Sequence, residues 1–145
     1  MNLTRFTDYS LRVLIFVGVH RERLVSIQEV SEAYRISRNH IVKVVHQLGR
    51  LGFLDNVRGR KGGIRLAREP KDIRVGDVVR ATEPGFVLLE CFDPRQNRCA
   101  ITPACRLMDT LATGLERFME TLDGVTLQDL LKPKTALKHL LAPRR

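Results

Sequence analysis

The sequence has no long apolar run, and it has no recognisable pattern of residues for covalent catalysis or nucleotide binding. A membrane-spanning helix needs about 20 mostly apolar residues, and no stretch of this 145-residue chain approaches that length. The first residues lack the apolar core of a secretory signal, so we expect a cytoplasmic protein with no membrane partner. No nucleophile with a paired base and no cofactor fingerprint stands out. We therefore expect a protein that is not an enzyme.

Cysteine is scarce and confined to one short stretch. Cys91, Cys99 and Cys105 form the pattern Cys-x7-Cys-x5-Cys. An odd number of cysteines in an intracellular chain argues against a disulfide framework and favours metal or redox chemistry. Structural zinc sites usually have Cys-x2-Cys pairs and a fourth ligand, and the chain has no further cysteine and no histidine nearby. The spacing favours an iron–sulfur cluster but leaves open a zinc ion, a thiol redox switch or inert cysteines.

Basic residues outnumber acidic ones, and the excess lies in one half of the chain. Residues 1–68 have 13 Lys or Arg against 5 Asp or Glu, whereas residues 69–145 have 12 against 11. A concentrated positive charge is typical of a nucleic-acid-binding surface. The alternative is a generally basic, solvated surface. The distribution favours a nucleic-acid-binding half joined to a nearly neutral half.

After a first helix at residues 4–20, two short helices separated by a tight turn are predicted. Ser26 and Glu29 form the Ser-x-x-Glu capping box that begins a helix, expected at Ile27–Tyr34. Ser37 is suited to cap a second helix at residues 38–51, whose apolar stripe would be buried. This order is that of a helix-turn-helix, whose second helix enters the major groove of DNA. The side chains expected to contact DNA from this helix are Arg38, Asn39, His40 and Lys43.

A glycine-rich basic turn follows the second helix. Short strands are expected to begin at residue 53 and to cover residues 64–67, on either side of the segment RGRKGG at 58–63. Strand, turn and strand predict a β-hairpin wing. The wing side chains expected to meet DNA phosphates are Arg58, Arg60 and Lys61. The turn could instead hold a nucleotide phosphate, but neither phosphate-binding pattern, GxxxxGKS/T or GxGxxG, is present.

The second half of the chain is predicted to have a cysteine loop between two helices. We expect a short helix at residues 74–83, a loop at 86–104 and a long helix at 104–123. The apolar line of the long helix consists of Leu107, Leu111, Leu115, Phe118 and Leu122. Such a stripe suits packing against a second copy of the chain, which a palindromic DNA site would match. The same stripe would also suit packing onto its own domain.

These elements predict a mainly α-helical fold with a small β-hairpin, arranged as a winged helix-turn-helix plus a long dimerisation helix. The DNA-binding domain is expected over residues 1–73, and the connecting helix and cysteine loop over 74–103. The dimerisation helix and a short C-terminal helix are expected over 104–131. The basic tail at 132–145 has no strong pattern and is expected to be partly disordered.

Four segments resemble the Rrf2 family of transcriptional regulators, in order, and the resemblance covers residues 1–131. The segments are 3–12 (LTRFTDYSLR), 37–43 (SRNHIVK), 57–66 (VRGRKGGIRL) and 101–107 (ITPACRL). The resemblance is to members that sense nitric oxide. It implies a homodimeric repressor that binds a palindromic double-stranded DNA operator and has an iron–sulfur cluster in each subunit, [4Fe–4S] or alternatively [2Fe–2S]. Reaction with nitric oxide would release the DNA and derepress nitrosative-stress genes.

The resemblance also implies which residues bind the cluster. Cys91, Cys99 and Cys105 match the family's cysteine ligands, and Asp8 matches a fourth, carboxylate ligand supplied by the partner subunit. The residues alone allow a plainer role for Asp8, as an acid favoured by the dipole in the first turn of a helix. Family members that regulate cluster assembly have a histidine three residues after the third cysteine, where this chain has Met108. That difference favours a nitric oxide sensor over a regulator that responds to iron or redox state.

Overall fold

The computed structural model describes residues 2–142, so Arg144 and Arg145 of the predicted basic tail lie outside the described residues. Within residues 2–142 the chain forms seven α-helices and one two-stranded antiparallel sheet, which is the mainly helical fold predicted. None of the helices in this range is long and apolar enough to cross a bilayer. The elements in chain order are α1 (Arg5–Val19), α2 (Ile27–Tyr34), α3 (Arg38–Arg50), β1 (Leu54–Val57), β2 (Gly63–Leu66), α4 (Val75–Thr82), α5 (Arg106–Asp123), α6 (Leu127–Leu130) and α7 (Lys134–Leu140).

The first three helices pack around one apolar core, and local sequence sets where they begin and end. The Thr4 hydroxyl caps α1 by accepting a hydrogen bond from the Thr7 amide at 3.2 Å. Ser26 and Glu29 form the predicted capping box of α2, with bonds of 3.2 and 2.8 Å. Arg35 ends α2 in a left-handed conformation with φ 55° and turns the chain towards α3. The core contains the fully buried side chains of Leu14, Val30, Ile41 and Leu48.

The hairpin is tied to the helices at its base. Its register pairs Val57 with Gly63, and the next residue of β2, Ile64, is buried in the core. The amides of Val25 and Ile64 each donate to the other's carbonyl oxygen, at 3.0 and 2.8 Å. Because β2 is bonded both to β1 and to the residue before the α2 cap, the turn at 58–62 is held in place beside the helix-turn-helix.

Helix α4 lies between α1 and the last turns of α5. Val79 packs with Met119 of α5 in a second, smaller core. Arg80 donates two hydrogen bonds to the Asp123 carboxylate, each of 2.6 Å. The C-terminal half of α5 therefore folds back on its own domain, whereas Leu107 near its start is 59% exposed. One part of the predicted apolar stripe is thus packed against the same chain, and the other part is exposed.

The segment after α6 differs from the expected tail without regular structure. Helix α7 occupies Lys134–Leu140, and Leu141 is buried in the main core. Lys138 holds this helix against the rest of the domain by an ion pair with Glu22 at 2.9 Å. The physical reason is that Leu137 and Leu141 lie one helical turn apart and give the segment an apolar edge that packs into the core.

Candidate nucleic-acid interface and cysteine loop

Helix α3 has one buried face and one open face. Its aliphatic side chains lie in the core because they recur with helical spacing. The four α3 side chains predicted to contact DNA are exposed, and they are Arg38, Asn39, His40 and Lys43. The first turns of the helix therefore present charged and amide groups of the types that recognise guanine and adenine in the major groove.

The His40 ring is held at the start of α3. Its Nδ1 lies 3.0 Å from the Ser37 hydroxyl oxygen, and its ring centroid lies 6.0 Å from that of Tyr9 on α1. Ser37 makes no side-chain hydrogen bond to an α3 amide, so its contact with His40 replaces the ordinary N-cap that the sequence predicted. His40 consequently connects α1 to the open face of α3.

The turn between β1 and β2 has the three predicted wing cations. All are exposed, and they are Arg58, Arg60 and Lys61. Gly59 has a φ of 110°, which glycine adopts without the strain that a side chain would add. A Cβ at Gly62 would collide with the Val57 carbonyl oxygen. The glycines of this segment therefore permit the tight turn that presents the cations.

A groove of about 530 Å³ separates α3 from the hairpin. Val42 and His46 of α3 line it on one side, Asn56 and Val57 of β1 on the other, and Gln28 of α2 also contributes. No carboxylate is among the described residues that line it. These side chains could not be assigned a role from the sequence, because the pattern of α3 alone does not show which of its flanks the hairpin faces. The available signal was Val42, an apolar residue outside the buried stripe.

The three cysteines lie at three points of the segment between α4 and α5. Cys91 is buried in a short 3-10 turn, and Cys105 is the N-cap residue of α5. Between them, the Cys99 amide donates to the Asn97 side-chain oxygen at 3.0 Å, and Thr102 donates to the Cys99 carbonyl oxygen at 2.8 Å. All three are free thiols. The predicted loop is therefore folded into defined turns around its cysteines.

The donor set consists of three thiols, the side chain that binds iron–sulfur clusters and also structural zinc. Among residues 2–142, no three His, Cys, Asp or Glu side chains are grouped so that they could hold one ion. Cationic side chains suit anionic sulfur ligands, and exposed arginines lie beside the cysteines in the chain at Arg95, Arg98 and Arg106.

Asp8 lies in the first turn of α1 with 44% of its side chain exposed. Its carboxylate accepts a hydrogen bond from Arg12 Nε at 2.8 Å, and this bond raises the pKa of Arg12. The Arg12 guanidinium lies over the Tyr34 ring, 5.8 Å from its centroid. Within one chain Asp8 is therefore an ion-pair partner, and its exposure leaves it accessible to a second subunit.

Polar contacts join the start of α1 to the residues that lead into the cysteine loop. The Thr4 amide and hydroxyl both donate to Glu83 Oε1, at 2.7 and 3.1 Å. The Thr82 and Thr7 hydroxyl oxygens lie 2.9 Å apart in a buried hydrogen bond. Since the loop begins directly after Glu83, a displacement at its root acts directly on α1.

The fold and the open face of α3 define a winged-helix DNA-binding transcription regulator. A helix-turn-helix is followed by a hairpin whose basic turn lies beside the second helix. Residues 3–133 match the model of the Rrf2 family, described as "Iron-dependent Transcriptional regulator". The chain belongs to the Rrf2 family, as its four sequence segments predicted.

Relatives with known names agree with this assignment. The "HTH-type transcriptional regulator NsrR" of Bacillus subtilis (strain 168) is 48% identical over 142 residues, which cover 97% of each chain. The protein of the same name from Geobacillus kaustophilus (strain HTA426) is 46% identical over 146 residues, covering 100% of this chain and 99% of the relative. The chain is therefore a transcriptional regulator similar to NsrR, and DNA is the partner of its family.

Solved structures show the same fold. The structure of T. potens IscR superposes with a TM-score of 0.71 at 26% identity, covering 91% of this chain and 87% of that one. CymR, the global cysteine regulator of B. subtilis, has a TM-score of 0.68 at 24% identity, covering 90% of this chain and 95% of that one. The likeness to CymR concerns the fold alone.

Proposed function

We propose that the protein is a homodimeric repressor whose binding to DNA depends on an iron–sulfur cluster and is lost when nitric oxide reaches that cluster. Loss of binding would derepress genes that respond to nitrosative stress. The protein would act in the cytoplasm. The observation that carries the proposal is the position of the cysteine loop. Its root is bonded to α1, and α1 packs against α3. A structural change in the cysteine loop would therefore reach the DNA-binding face through a single helix, α1.

Cys91, Cys99 and Cys105 would hold the cluster, and Asp8 of the partner subunit would supply the fourth ligand. When bound, a [4Fe–4S] cluster, or alternatively [2Fe–2S], supplies iron that reacts with a diatomic gas. Thiolates are the usual ligands of iron–sulfur clusters, so the single carboxylate would be the fourth ligand that an incoming gas would displace. A displaced Asp8 would have an ion-pair partner within its own chain in Arg12.

Homodimerisation is the second part of the proposal. Leu88 and Leu89 of the cysteine loop and Leu111 and Leu115 of α5 line an open apolar groove of about 370 Å³. Leu107, one turn before Leu111, is 59% exposed. A second copy packed on this surface would cover these side chains. Two-fold symmetry would then present two α3 helices to the two halves of a palindromic operator.

We propose a separate role for each of the segments expected from the sequence. Residues 1–73 would bind DNA, 74–103 would connect the domain to the cluster, and 104–131 would dimerise. The packing of α7 and Leu141 against the first segment suggests a different role for residues 132–142. We assign them to the stability of the DNA-binding domain rather than to contact with DNA.

The central experiment is an anaerobic titration of the purified protein with nitric oxide, in which visible absorbance and operator binding are followed in one sample. We expect the cluster absorbance to bleach as the DNA is released. A brown protein that keeps its DNA after the cluster has reacted would instead favour a regulator of iron or redox state. A colourless protein with stoichiometric zinc would contradict the cluster.

Two variants of α1 test the role of Asp8. Asp8→Ala should alter the cluster spectrum and the response to nitric oxide, because it removes the proposed ligand from both subunits. Arg12→Ala is the matched control, since it removes the same ion pair but leaves the carboxylate in place. Unchanged spectra and an unchanged response in Asp8→Ala would rule out ligation.

Two further variants separate recognition from anchoring at the DNA face. Asn39→Ala should relax sequence preference at a cost of about 1–3 kcal/mol, because an amide on α3 can read a base edge. Lys61→Ala should weaken binding to all sequences and reduce the salt dependence, because the wing would contact phosphate. Binding isotherms on operator and random DNA at several salt concentrations distinguish the two. Equal losses on both kinds of DNA in both variants would contradict this division.

A further inference from the structure

Val42 is an apolar side chain on the otherwise polar open side of α3. It is 40% exposed, whereas its neighbours Ile41 and Val44 are buried. Arg38, one turn earlier, and His46, one turn later, line the same groove between α3 and the hairpin. Val57 on β1 also lines this groove and is 38% exposed. The groove therefore combines two exposed valines with one cationic side chain, Arg38.

The fold itself gives no reason for a valine at this position. The Val42 side chain is outside the core, and a β-branched residue is a poorer choice for an exposed helix interior than alanine, lysine or glutamine. A single exposed apolar side chain is ordinary on a protein surface. Here, however, a second exposed valine lines the same groove, and no carboxylate is among the described residues that line it. Such a surface suits a polyanion that also offers an apolar group.

DNA offers that group at this place. In a helix-turn-helix, the first turns of the second helix lie at base edges in the major groove, where the 5-methyl group of thymine is the apolar feature of the base pairs. We infer that Val42 packs against the 5-methyl group of a thymine in each half-site of the operator. Arg38 and Lys43 beside it provide the polar contacts to neighbouring groups. The inference rests on the proposed DNA-binding function and names a base that this face selects.

Replacing thymidine by deoxyuridine isolates the contact. The two nucleotides pair with adenine in the same way and differ only in the 5-methyl group. Burial of one such group corresponds to an affinity change of about fourfold. Loss of the methyl group from both half-sites should therefore weaken binding by about 15-fold, since distant contacts contribute additively.

The probe is a DNA duplex that the full-length protein, purified anaerobically, selects from a random-sequence pool. Each thymine of this duplex is replaced in turn by deoxyuridine, and the affinity is measured for the native protein, Val42→Ala and Lys43→Ala. We expect one thymine per half-site at which the replacement weakens the native protein about fourfold and leaves Val42→Ala unaffected. Lys43→Ala is the matched control: it should bind every duplex more weakly but keep the methyl effect.

Equal methyl effects in the native protein and in Val42→Ala would overturn the assignment and leave the DNA-binding proposal intact. A selected duplex without any methyl-sensitive thymine would also overturn the assignment of Val42 and leave the DNA-binding proposal intact. A protein that selects no duplex from the pool would overturn both proposals. Because Val42 is outside the core and alanine favours an exposed helix interior more than valine does, Val42→Ala should unfold at a temperature no lower than that of the native protein. This measurement excludes unfolding as the cause of a lost methyl effect.

Discussion

The buried pair of hydroxyl groups on Thr7 and Thr82 leads to a quantitative stability prediction. Thr7 is fully buried and Thr82 is 9% exposed, and their oxygens lie 2.9 Å apart. The Thr82 oxygen also lies 2.8 Å from the Val78 carbonyl oxygen. A hydroxyl group has one proton to donate. When Thr82 donates to the carbonyl oxygen, Thr7 must therefore act as the donor in the pair.

Thr82→Val keeps the shape of the side chain but removes its hydroxyl. Threonine and valine have similar helix propensities, so the lost hydrogen bond dominates the effect. A buried polar group left without its partner costs about 1–3 kcal/mol. Thr4 Oγ1 lies 3.2 Å from Thr7 Oγ1 and still provides a partner, which sets the expected cost near the lower bound, at about 1 kcal/mol. Thr7→Val should cost a similar amount.

The double variant tests this reasoning. Replacement of both partners of a buried hydrogen bond by apolar groups of the same shape is nearly neutral. Thr7→Val/Thr82→Val should therefore be less destabilised than the sum of the single variants, with a coupling energy of about 1 kcal/mol. The assay is urea unfolding of the four proteins, followed by circular dichroism. Additive costs would refute the claim that the two hydroxyls depend on each other.

Two further changes test the wing and the capping box. Gly62→Ala should weaken binding to all DNA sequences in a gel-shift assay. The reason is that its Cβ would collide with the Val57 carbonyl oxygen and displace the wing cations. An affinity equal to that of the native protein would contradict this turn geometry. Burial acts to raise the pKa of Glu29, but hydrogen bonds from Arg23 and Ser26 lower it from the ordinary 4.5 to about 2. A lowered pKa contributes stability that is present above about pH 4.5 and lost as the pH falls towards about 2. Glu29→Gln keeps the capping box but has no charge. Between about pH 4.5 and pH 2, urea unfolding should therefore show a smaller loss of stability in this variant than in the native protein. Parallel pH profiles of the two proteins would refute a stabilising role for the Glu29 charge.

Local sequence signals were sufficient to predict the helix-turn-helix and the hairpin. The Ser26–Glu29 capping box acts between residues one helical turn apart, and its outcome is independent of the rest of the chain. The glycine-rich turn at 58–63 likewise has its cause in local conformation, shown by the φ of 110° at Gly59. Each signal joins residues that are neighbours in the sequence, which is why a pattern in the sequence is enough to predict the structure.

The features that were missed depend on contacts between distant parts of the chain. Helix α7 is held by an ion pair between Lys138 and Glu22, which are 116 positions apart. The division of the α5 stripe depends on the packing of its C-terminal half against Val75 and Val79 of α4. The groove beside Val42 exists because the hairpin lies against one flank of α3. No periodic pattern within a single segment contains this information.

The cysteine spacing predicted metal chemistry but left the kind of site open. The ligand assignments remain proposals for a physical reason: the fourth ligand would come from another copy of the chain. Asp8 in isolation pairs with Arg12, and only the assembled dimer would offer it a different partner.

The first turn of α1 is the place where the state of the cluster would reach the DNA-binding face. Three consecutive residues there have different neighbours: Thr7 bonds to the root of the cysteine loop, Asp8 exposes its carboxylate, and Tyr9 contacts the His40 ring on α3. Successive residues of a helix point about 100° apart, so a single turn reaches all three directions. Because a helix moves as one body, a pull on Asp8 by a partner subunit, or on Thr7 by the loop, also displaces Tyr9. A route from the cysteine loop to the end of α3 that is proposed to contact bases therefore needs no element other than α1.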